Sequence, residues 1–243
     1  MPSLALNDVK LFAAGHDLSG QMNACALEYA ADMLDETTFG ATTRINKGGI
    51  KSVVANHQGF WDAGGVTAVD PVVFARVGLE DVPIVIGPEG GAVNALAYLF
   101  RAIHAEYAIG AGVVGELLPF SVAMEGTGGQ PLVRGRVMHN ASATGNVTGT
   151  GIQFGSSITA TQFLYATLQV FSGSGAFVVI VQSAAAADFV GATTRITFAT
   201  VATGTAVASE WATRVPGPIT DTWWRVFATN PATRNFAVAI GIQ

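Results

Sequence analysis

The chain has 243 residues and a formal net charge of −5, and charged side chains occupy only 12% of its positions, against about 25% in an ordinary soluble domain. An acidic chain with few lysines and arginines is a poor nucleic-acid binder, because phosphate neutralisation supplies most of that affinity. So little charge indicates that much of the folded surface is buried against other copies of the chain. An Ala- and Gly-rich monomer of modest solubility is the alternative.

The acidity belongs to the first part of the chain. Residues 1–140 hold 14 acidic and 8 basic side chains, and residues 141–243 hold 3 and 4. The single cysteine, Cys25, cannot form an intramolecular disulfide and is interpreted as a buried thiol. The first residues lack the basic and apolar regions of a signal peptide, and no apolar window is long enough to span a bilayer. We therefore expect synthesis in the cytoplasm and no membrane partner.

The first predicted elements are a short strand near residues 9–13, a turn over residues 15–20 and a long hairpin. In the first hairpin strand, residues 23–33, apolar side chains at odd positions alternate with small or acidic ones at even positions. Because side chains alternate faces along a strand, this pattern predicts one core face and one polar face. The second strand is predicted over residues 50–61. The long polar loop between the two strands favours a projecting hairpin over a tight one.

One helix is predicted, over residues 70–78, with Asp70 as its N-cap, Pro71 at its first position and Gly78 at its end. A buried strand is expected over residues 82–86. Residues 94–107 fit a helical stripe and a strand face, and we favour a brief helical turn followed by a strand. Alternation then predicts strands over residues 118–125 and 132–138.

The composition changes at Asn140. Residues 140–162 are mainly Ser, Thr, Gly, Asn and Ala, which is typical of a linker or a long surface connection. The sequence beyond predicts a jelly-roll-like β-sandwich, with strands over residues 163–171, 176–181, 194–198, 206–214, 222–228 and 236–240. The predicted fold is therefore mainly β, with a β-sandwich or barrel domain carrying one short helix over residues 1–140 and a β-sandwich domain over residues 141–243.

No catalytic, cofactor or metal site is predicted. The four histidines, His16, His57, His104 and His139, lack metal-type spacing and are interpreted as surface or core residues. No nucleophile elbow or phosphate-binding loop is present. The acidic side chains of the hairpin could hold a cation, but a solvated acidic face explains them more simply.

Three groups of residues together carry a resemblance to a known family of proteins. The first comprises DLSG at 17–20, the acidic strand leading to TTFG at 37–40, and GIKSV at 49–53 through GFW at 59–61. The second comprises GELLPFSV at 115–122 through LVRG at 132–135. The third comprises Ser183, TTR at 193–195, GPITDTWWR at 217–225 and the apolar last strand. In this order, over most of the chain, these residues resemble the major tail tube proteins of long-tailed, siphovirus-like bacteriophages. The resemblance implies a tail-tube-like first domain.

The resemblance implies a structural subunit of the virion tail, assembled in the host cytoplasm, whose rings, commonly hexameric, stack into a hollow tube. Its implied partners are other copies of itself, the tape-measure protein and tail-tip or terminator proteins, and DNA passes through without specific binding. The family's function rests on no catalytic residues or cofactors, so none is implied here. Low charge, a two-faced hairpin and an acidic face that repels phosphate agree with this interpretation.

Within that interpretation, Glu28 and Asp32 are the candidate channel-facing residues. The candidate contact with the neighbouring ring is the loop over residues 35–47, with Asp35, Glu36, Thr37, Thr38, Phe39, Arg44 and Lys47 as its named members. Two alternatives remain. A capsid decoration protein or other virion structural protein would form trimers or monomers in place of stackable rings. A carbohydrate-binding β-sandwich module would bind a glycan as a monomer, with Trp211, Trp223 and Trp224 as a platform or as core residues.

Overall fold

A computed structural model describes residues 8–65, 67–110, 113–155, 157–229 and 232–243. The described part of the chain is mainly antiparallel β structure with one short α-helix, which confirms the mainly β prediction. In chain order the elements are β1 (Lys10–Ala13), β2 (His16–Asp17), a 3-10 turn (Ser19–Gln21), β3 (Met22–Asp35), β4 (Asn46–Phe60), α1 (Val69–Phe74), β5 (Val82–Gly87), β6 (Leu96–Ile109), β7 (Pro119–Gly126), β8 (Val133–Ala143), β9 (Val147–Thr148), β10 (Ile152–Gln153), β11 (Phe163–Gly173), β12 (Val178–Ala184), β13 (Thr193–Thr197), β14 (Ala208–Trp211), β15 (Val215–Pro216), β16 (Trp223–Thr229) and β17 (Arg234–Ile242).

The predicted hairpin is present, and both of its strands are longer than predicted. β3 pairs antiparallel with β4 along its whole length, and a ten-residue connection, residues 36–45, joins them. β4 also pairs with β7, but only from Val54 to Phe60. The part of the hairpin beyond β7, residues 29–53, therefore lacks a third strand among the described residues, and we call it the arm.

The first core lies on one face of the β3–β4–β7–β6 strands. Phe120, Val122 and Met124 alternate inward from β7, as predicted, and pack with Val53 and Ala55 of β4. The helix α1 covers this face through Val69, Val72 and Val73. Burying these three valines at about 1.5–3 kcal/mol each is the main favourable term that fixes α1 against the sheet.

The helix differs from its prediction. It spans six residues, its N-cap is Ala68, and it has no side-chain cap. Asp70 lies inside the first turn, where its Oδ1 accepts hydrogen bonds from Trp61 Nε1 at 3.0 Å and Tyr107 Oη at 2.8 Å. Because Trp61 and Tyr107 bind the Asp70 carboxylate, it does not cap the helix as the sequence predicted. Residues 94–107 also differ, because β6 is one continuous strand and only a hydrogen-bonded turn from Ala92 to Ala95 precedes it.

The C-terminal half is a β-sandwich. One sheet contains β14, β11, β17 and β8, and the other contains β10, β16, β12 and β13, with β9 beside β16. Its core includes Trp224, Phe177, Phe198 and Phe236, all no more than 2% exposed. The strand predicted over residues 206–214 is interrupted, since β14 and β15 pair separately with β11.

The two halves share one sheet near the predicted boundary. β8 runs through Asn140 without interruption and pairs with β6 on one edge and with β17 on the other. Residues 140–143 thus belong to a strand, and the rest of the expected linker contains the short strands β9 and β10, which pair with β16. Separate apolar cores lie on the two sides, and a third cluster around Phe12, Val137 and Tyr165 connects them. The division into domains at residues 140 and 141 stays a prediction.

Candidate functional site

The face of the N-terminal sheet opposite its core is built mainly from small, polar and acidic side chains, together with the aliphatic side chains of Val54 and Ile103. Strand register places its residues in rows that cross β6, β7, β4 and β3 in that order. The rows are Ala108–Ser121–Gln58–Ala24, Glu106–Ala123–Asn56–Ala26, Ile103–Glu125–Val54–Glu28 and, on the last two strands alone, Ser52–Ala30. We call these 14 residues the acidic face. It contains no Lys, Arg or aromatic side chain, so its only formal charges are three glutamates.

The alternation of side chains explains why these residues share a face. Along β4, Val53, Ala55 and His57 are buried, whereas the intervening Asn56 and Gln58 are exposed. A bulge between His104 and Glu106 shifts the register on β6 by one residue. The bulge keeps His104 in the core and leaves Glu106 on the acidic face, since an extra residue on one strand restores the alternation beyond it.

The acidic face ends at two strand edges that have no partner strand in the described part of the chain. β3 pairs only with β4, so its outer edge is open over fourteen residues. On β6, β5 covers the outer edge as far as Ala102, and Val77 bridges to His104. From Ala105 to Ile109 no strand pairs with that edge. Open edges of this kind are templates for pairing with another chain.

The arm and its loop form a structured projection. Asp35 and Arg44 form an ion pair at 3.3 Å, and Glu36 and Lys47 form one at 2.9 Å. Thr37 donates a backbone hydrogen bond to Asp35, and hydrogen bonds from the Thr37 side chain and backbone hold the pKa of that carboxyl below its ordinary value. Local bonds therefore fix the loop even though it lacks core contacts.

Phe39 lies at the tip of this loop and is fully exposed. A second apolar loop lies at the opposite end of the strands, because β4 ends beside the start of β7 and β6 ends there too. In it, Val113, Val114 and Leu117 are between 67% and 103% exposed. The two ends of the sheet therefore both present uncovered apolar side chains, which is unusual for a monomer surface.

Three histidines and an arginine lie together behind the acidic face. Arg76 Nη2 lies 3.1 Å from His16 Nε2. His57 and His104 are fully buried, and neither ring nitrogen of either residue has a hydrogen-bond partner in the described structure. Burial, with His104 nearby, lowers the pKa of His57 to about 3, and burial, with Arg76 nearby, lowers the pKa of His104 to about 4. Both rings are thus neutral at pH 7.

The structure places the candidate residues from the sequence as follows. Glu28 lies on the acidic face, whereas Asp32 lies on the arm opposite Gly49, beyond the end of β7. The candidate loop residues are all exposed. The channel-facing role of Glu28 and Asp32 and the ring-contact role of Asp35, Glu36, Thr37, Thr38, Phe39, Arg44 and Lys47 stay predictions.

Sequence reasoning missed two of the three glutamates on the acidic face. Glu125 could have been assigned to this face from the sequence, because the alternation of residues 118–125 already placed it opposite the core side chains. Glu106 was not, because the bulge on β6 is invisible in the residue pattern. The tryptophans do not form one platform. Trp224 is fully buried, and Trp223, next to it on the same strand, lies on the opposite face and is partly exposed.

Within the described ranges, no three His, Cys, Asp or Glu side chains are grouped so that they could hold a metal ion. The described helices also include none with the length and apolar character to cross a membrane. Burial raises the pKa of the Cys25 thiol, which lies partly buried against the first core.

No protein-family model and no curated protein matches the chain. Among solved structures, the virion of a native gene transfer agent particle contains a chain that matches with 13% identity and a TM-score of 0.39, over 50% of this chain and 94% of that one. The SPP1 Dit protein, described as a paradigm of hub adsorption apparatus in phages that infect Gram-positive bacteria, matches with 13% identity and a TM-score of 0.40, over 98% and 100%.

The sheath–tube complex of an extracellular contractile injection system, PVC, in its extended state contains a chain that matches with 9% identity and a TM-score of 0.44, over 56% of this chain and 93% of that one. TM-scores this low do not establish a shared fold. The geometry of the sheet and the sequence of the chain carry the functional argument instead.

Proposed function

We propose that this protein is the structural subunit of a phage tail tube, which assembles into stacked rings around an acidic channel for genome delivery. The observation that carries the proposal is the acidic face, which spans four strands and ends at an open edge on each side. No catalytic step is assigned to it. The protein is expected in the virion tail after assembly in the host cytoplasm.

The strand directions support ring closure. β3, β4, β7 and β6 alternate in direction, so the two edge strands run opposite ways. Copies related by rotation about an axis along the strands would therefore place β6 of one copy antiparallel to β3 of the next. Such pairing satisfies the open backbone groups on both edges and closes the sheet into a barrel without edges. An odd number of strands per copy would instead place like-directed edges together.

The side chains of the acidic face suit the inner wall of that barrel. Six copies of four strands give about 24 strands, and the usual strand spacing and tilt then give a backbone diameter of roughly 50 Å. Alanine and serine side chains on the inner wall leave most of this bore open. Three glutamates per copy and no lysine or arginine produce a negative potential, which repels phosphate and lets DNA pass without binding.

The apolar ends of the sheet suit the contacts between rings. Phe39 at one end and Val114 at the other are both fully exposed. In a stack of rings in one orientation, the arm loop of one ring meets the loop over residues 113–118 of the next. The contact is heterologous, so it repeats along the tube until another protein ends it. Tape-measure, tail-tip and terminator proteins are the partners expected for the lumen and the two ends.

The C-terminal sandwich is assigned to the outside of the tube. No residue of the acidic face comes from beyond residue 125, and the sandwich has its own core. It adds bulk and contacts on the outer surface in this proposal.

The test of the proposal is the assembly state of the purified protein. Negative-stain electron microscopy across a range of concentrations, with mass determination on the same sample, is expected to show hollow rings or tubes. Shortening the loop over residues 36–45 to a two-residue turn is expected to leave rings and remove stacking. Reversing the charge of Glu28 and Asp32 is expected to slow genome ejection. A protein that stays monomeric even with tail-tip components present would refute the proposed tube role.

A further inference from the structure

The two open edges of the N-terminal sheet differ in length. β3 is open over fourteen residues, from Met22 to Asp35, whereas β6 is open only from Ala105 to Ile109. On the N-terminal side of Ala105, Val77 and Gly78 occupy the edge of β6. Val77 bridges to His104, and the Gly78 N–H donates to the His104 carbonyl at 3.0 Å. A β3 strand that pairs with this edge therefore continues past it and passes beside the segment that follows α1.

The end of α1 and the segment that follows it carry uncovered apolar side chains. Phe74 is 74% exposed, Val77 is 47% exposed and Leu79 is 53% exposed, although α1 itself packs tightly on the core side of the sheet. We call Phe74, Val77 and Leu79 the helix ridge. An exposed apolar group beside an open strand edge indicates a protein contact more than a solvated surface.

The matching part of β3 is also apolar and uncovered on the same side of the sheet. Tyr29 and Met33 continue the alternation of Cys25 and Leu27, which pack against the first core, but they are 40% and 70% exposed because the arm extends beyond that core. Both surfaces therefore lie on the side of the sheet away from the acidic face.

The charges at the two surfaces are complementary. On the arm, Lys51 pairs across the strands with Ala31, and its Nζ lies 5.7 Å from the centre of the Tyr29 ring. Next to the helix ridge, Glu80 is exposed. No ion pair to either Lys51 or Glu80 is formed among the described residues of a single copy.

We propose that Tyr29 and Met33 of one copy dock on the helix ridge of the next copy, with Lys51 of the first facing Glu80 of the second. The partner is thus a second copy of this chain. This contact covers the outer side of the interface between neighbouring copies in the ring. The pairing of β3 with β6 forms the inner side of the same interface. This inference rests on the proposed ring assembly, since it specifies how neighbouring copies are held together.

Cysteine cross-linking tests the contact directly. In a Cys25→Ser background, which removes the only cysteine, the variant Met33→Cys/Leu79→Cys is treated with a short bis-maleimide after assembly. A head-to-tail contact is expected to give a ladder of covalent multimers on a denaturing gel, because each copy is linked to two neighbours. The control pairs Met33→Cys with Val190→Cys, which is 82% exposed in the C-terminal sandwich, and is expected to stay monomeric.

Charge exchange gives an independent readout. Lys51→Glu and Glu80→Lys, each alone, are expected to raise the concentration for half-maximal ring formation by about tenfold, because each places like charges together. The double variant Lys51→Glu/Glu80→Lys is expected to restore it to within about threefold of the parent. Asp188→Lys, an equal change of charge at an exposed position in the sandwich, is expected to leave ring formation unchanged.

The outcomes separate this inference from the proposed function. Rings by electron microscopy together with a ladder and charge rescue support both. Rings that form normally while the cross-linked pair stays monomeric, or while the double charge variant is not rescued, overturn the docking contact and leave the tube role standing. Absence of rings in the parent protein and in the Cys25→Ser background overturns the tube role and the contact with it.

Discussion

The N-terminal sheet and the C-terminal sandwich differ in where they leave apolar surface. Within the described ranges, 16 of the 17 large apolar side chains that are exposed lie before residue 118, and Val190 alone lies beyond it. The sandwich also satisfies its buried charge internally, since the Arg234 guanidinium donates to the carbonyl oxygens of Gly175, Ala202 and Thr205. The sandwich thus buries most of its large apolar side chains, whereas the N-terminal sheet leaves many of its own exposed.

The two regions also differ in how charge relates to exposed apolar surface. The C-terminal half has little charge, and most of its large apolar side chains lie in its own core. The N-terminal half has more charge and still leaves its apolar side chains uncovered on the arm, the helix ridge and the two ends of the sheet. We therefore expect assembly to depend on the N-terminal region.

The largest effect is expected from Phe39→Ser at the tip of the arm loop. Truncating an aromatic anchor at an interface costs about 2–4 kcal/mol of binding, which would reduce stacking roughly 30- to 1000-fold. The free energy of unfolding of the monomer should change by less than about 0.5 kcal/mol, because the residue is fully exposed. Val190→Ser is the matched control on the sandwich. Equal losses of tube length in the two variants would remove the distinction between the regions.

The second effect is a loss of stability of the N-terminal region in acid. Folding lowers the pKa of His57 to about 3 and that of His104 to about 4 from an ordinary value of 6.5. Between the ordinary pKa and these lowered values, the unfolded chain therefore binds more protons than the folded chain. The free energy of unfolding is unaffected by these two groups above about pH 6.5 and falls as the pH decreases toward 4. Each group contributes roughly 1.4 kcal/mol per pH unit within this window.

Denaturant unfolding of the monomer from pH 7 to pH 4 measures this dependence. Burial, with Arg76 nearby, also lowers the pKa of His16 to about 4. His57→Leu/His104→Leu is therefore expected to reduce the slope without removing it, and His57→Leu alone is expected to reduce the slope by a smaller amount. An unchanged slope in both variants would show that other groups cause the loss.

The third effect concerns the sandwich alone. Ser183 is fully buried, donates to Asp221 Oδ2 at 2.6 Å and accepts from Arg195 Nε at 2.7 Å. The hydrogen bond from Ser183, together with Arg195, holds the pKa of the Asp221 carboxyl below its ordinary value. Ser183→Ala is expected to destabilise the protein by about 1–3 kcal/mol and to leave ring formation unchanged below the unfolding temperature. Ser142→Ala, at an exposed position, is the control. A parallel loss of ring formation by Ser183→Ala in the folded protein would assign the sandwich a role in assembly.

The smallest effect on folding and assembly is expected from reversing the acidic face. Glu28→Lys/Glu106→Lys/Glu125→Lys changes only exposed positions, so stability should change by less than about 0.5 kcal/mol per site. Assembled tubes should acquire salt-dependent DNA binding, because lysines replace the glutamates that repel phosphate. A filter-binding assay on intact tubes measures this. Asp188→Lys tubes are expected not to bind, and binding by these control tubes alone would place the sandwich, and not the acidic face, near the DNA path.

The sequence specified the strands well where alternation was regular. The hairpin, the buried strand β5, the alternating strand β7 and most strands of the sandwich follow from it. It failed where a tertiary contact or an irregularity decided the structure. Trp61 and Tyr107 bind the Asp70 carboxylate and leave Ala68 as the helix cap. The bulge near His104 hides Glu106 from any periodic pattern.

The site was predictable in part for the same reason. Glu28 was identified from the polar face of one strand, and Glu125 was implied by another. That these residues belong to one row across four strands depends on register, which no local pattern records. The open edges and the helix ridge were invisible as well, since exposure of an apolar side chain depends on which other elements pack nearby.

The most direct test of the proposed role is a cryo-electron microscopy reconstruction of the assembled protein at a resolution that separates the strands. A tail-tube subunit is expected to form a closed barrel in which β6 of each copy pairs with β3 of the next, with Glu28, Glu106 and Glu125 pointing into the channel. An assembly in which this face points outward, or packs against another copy, would contradict it.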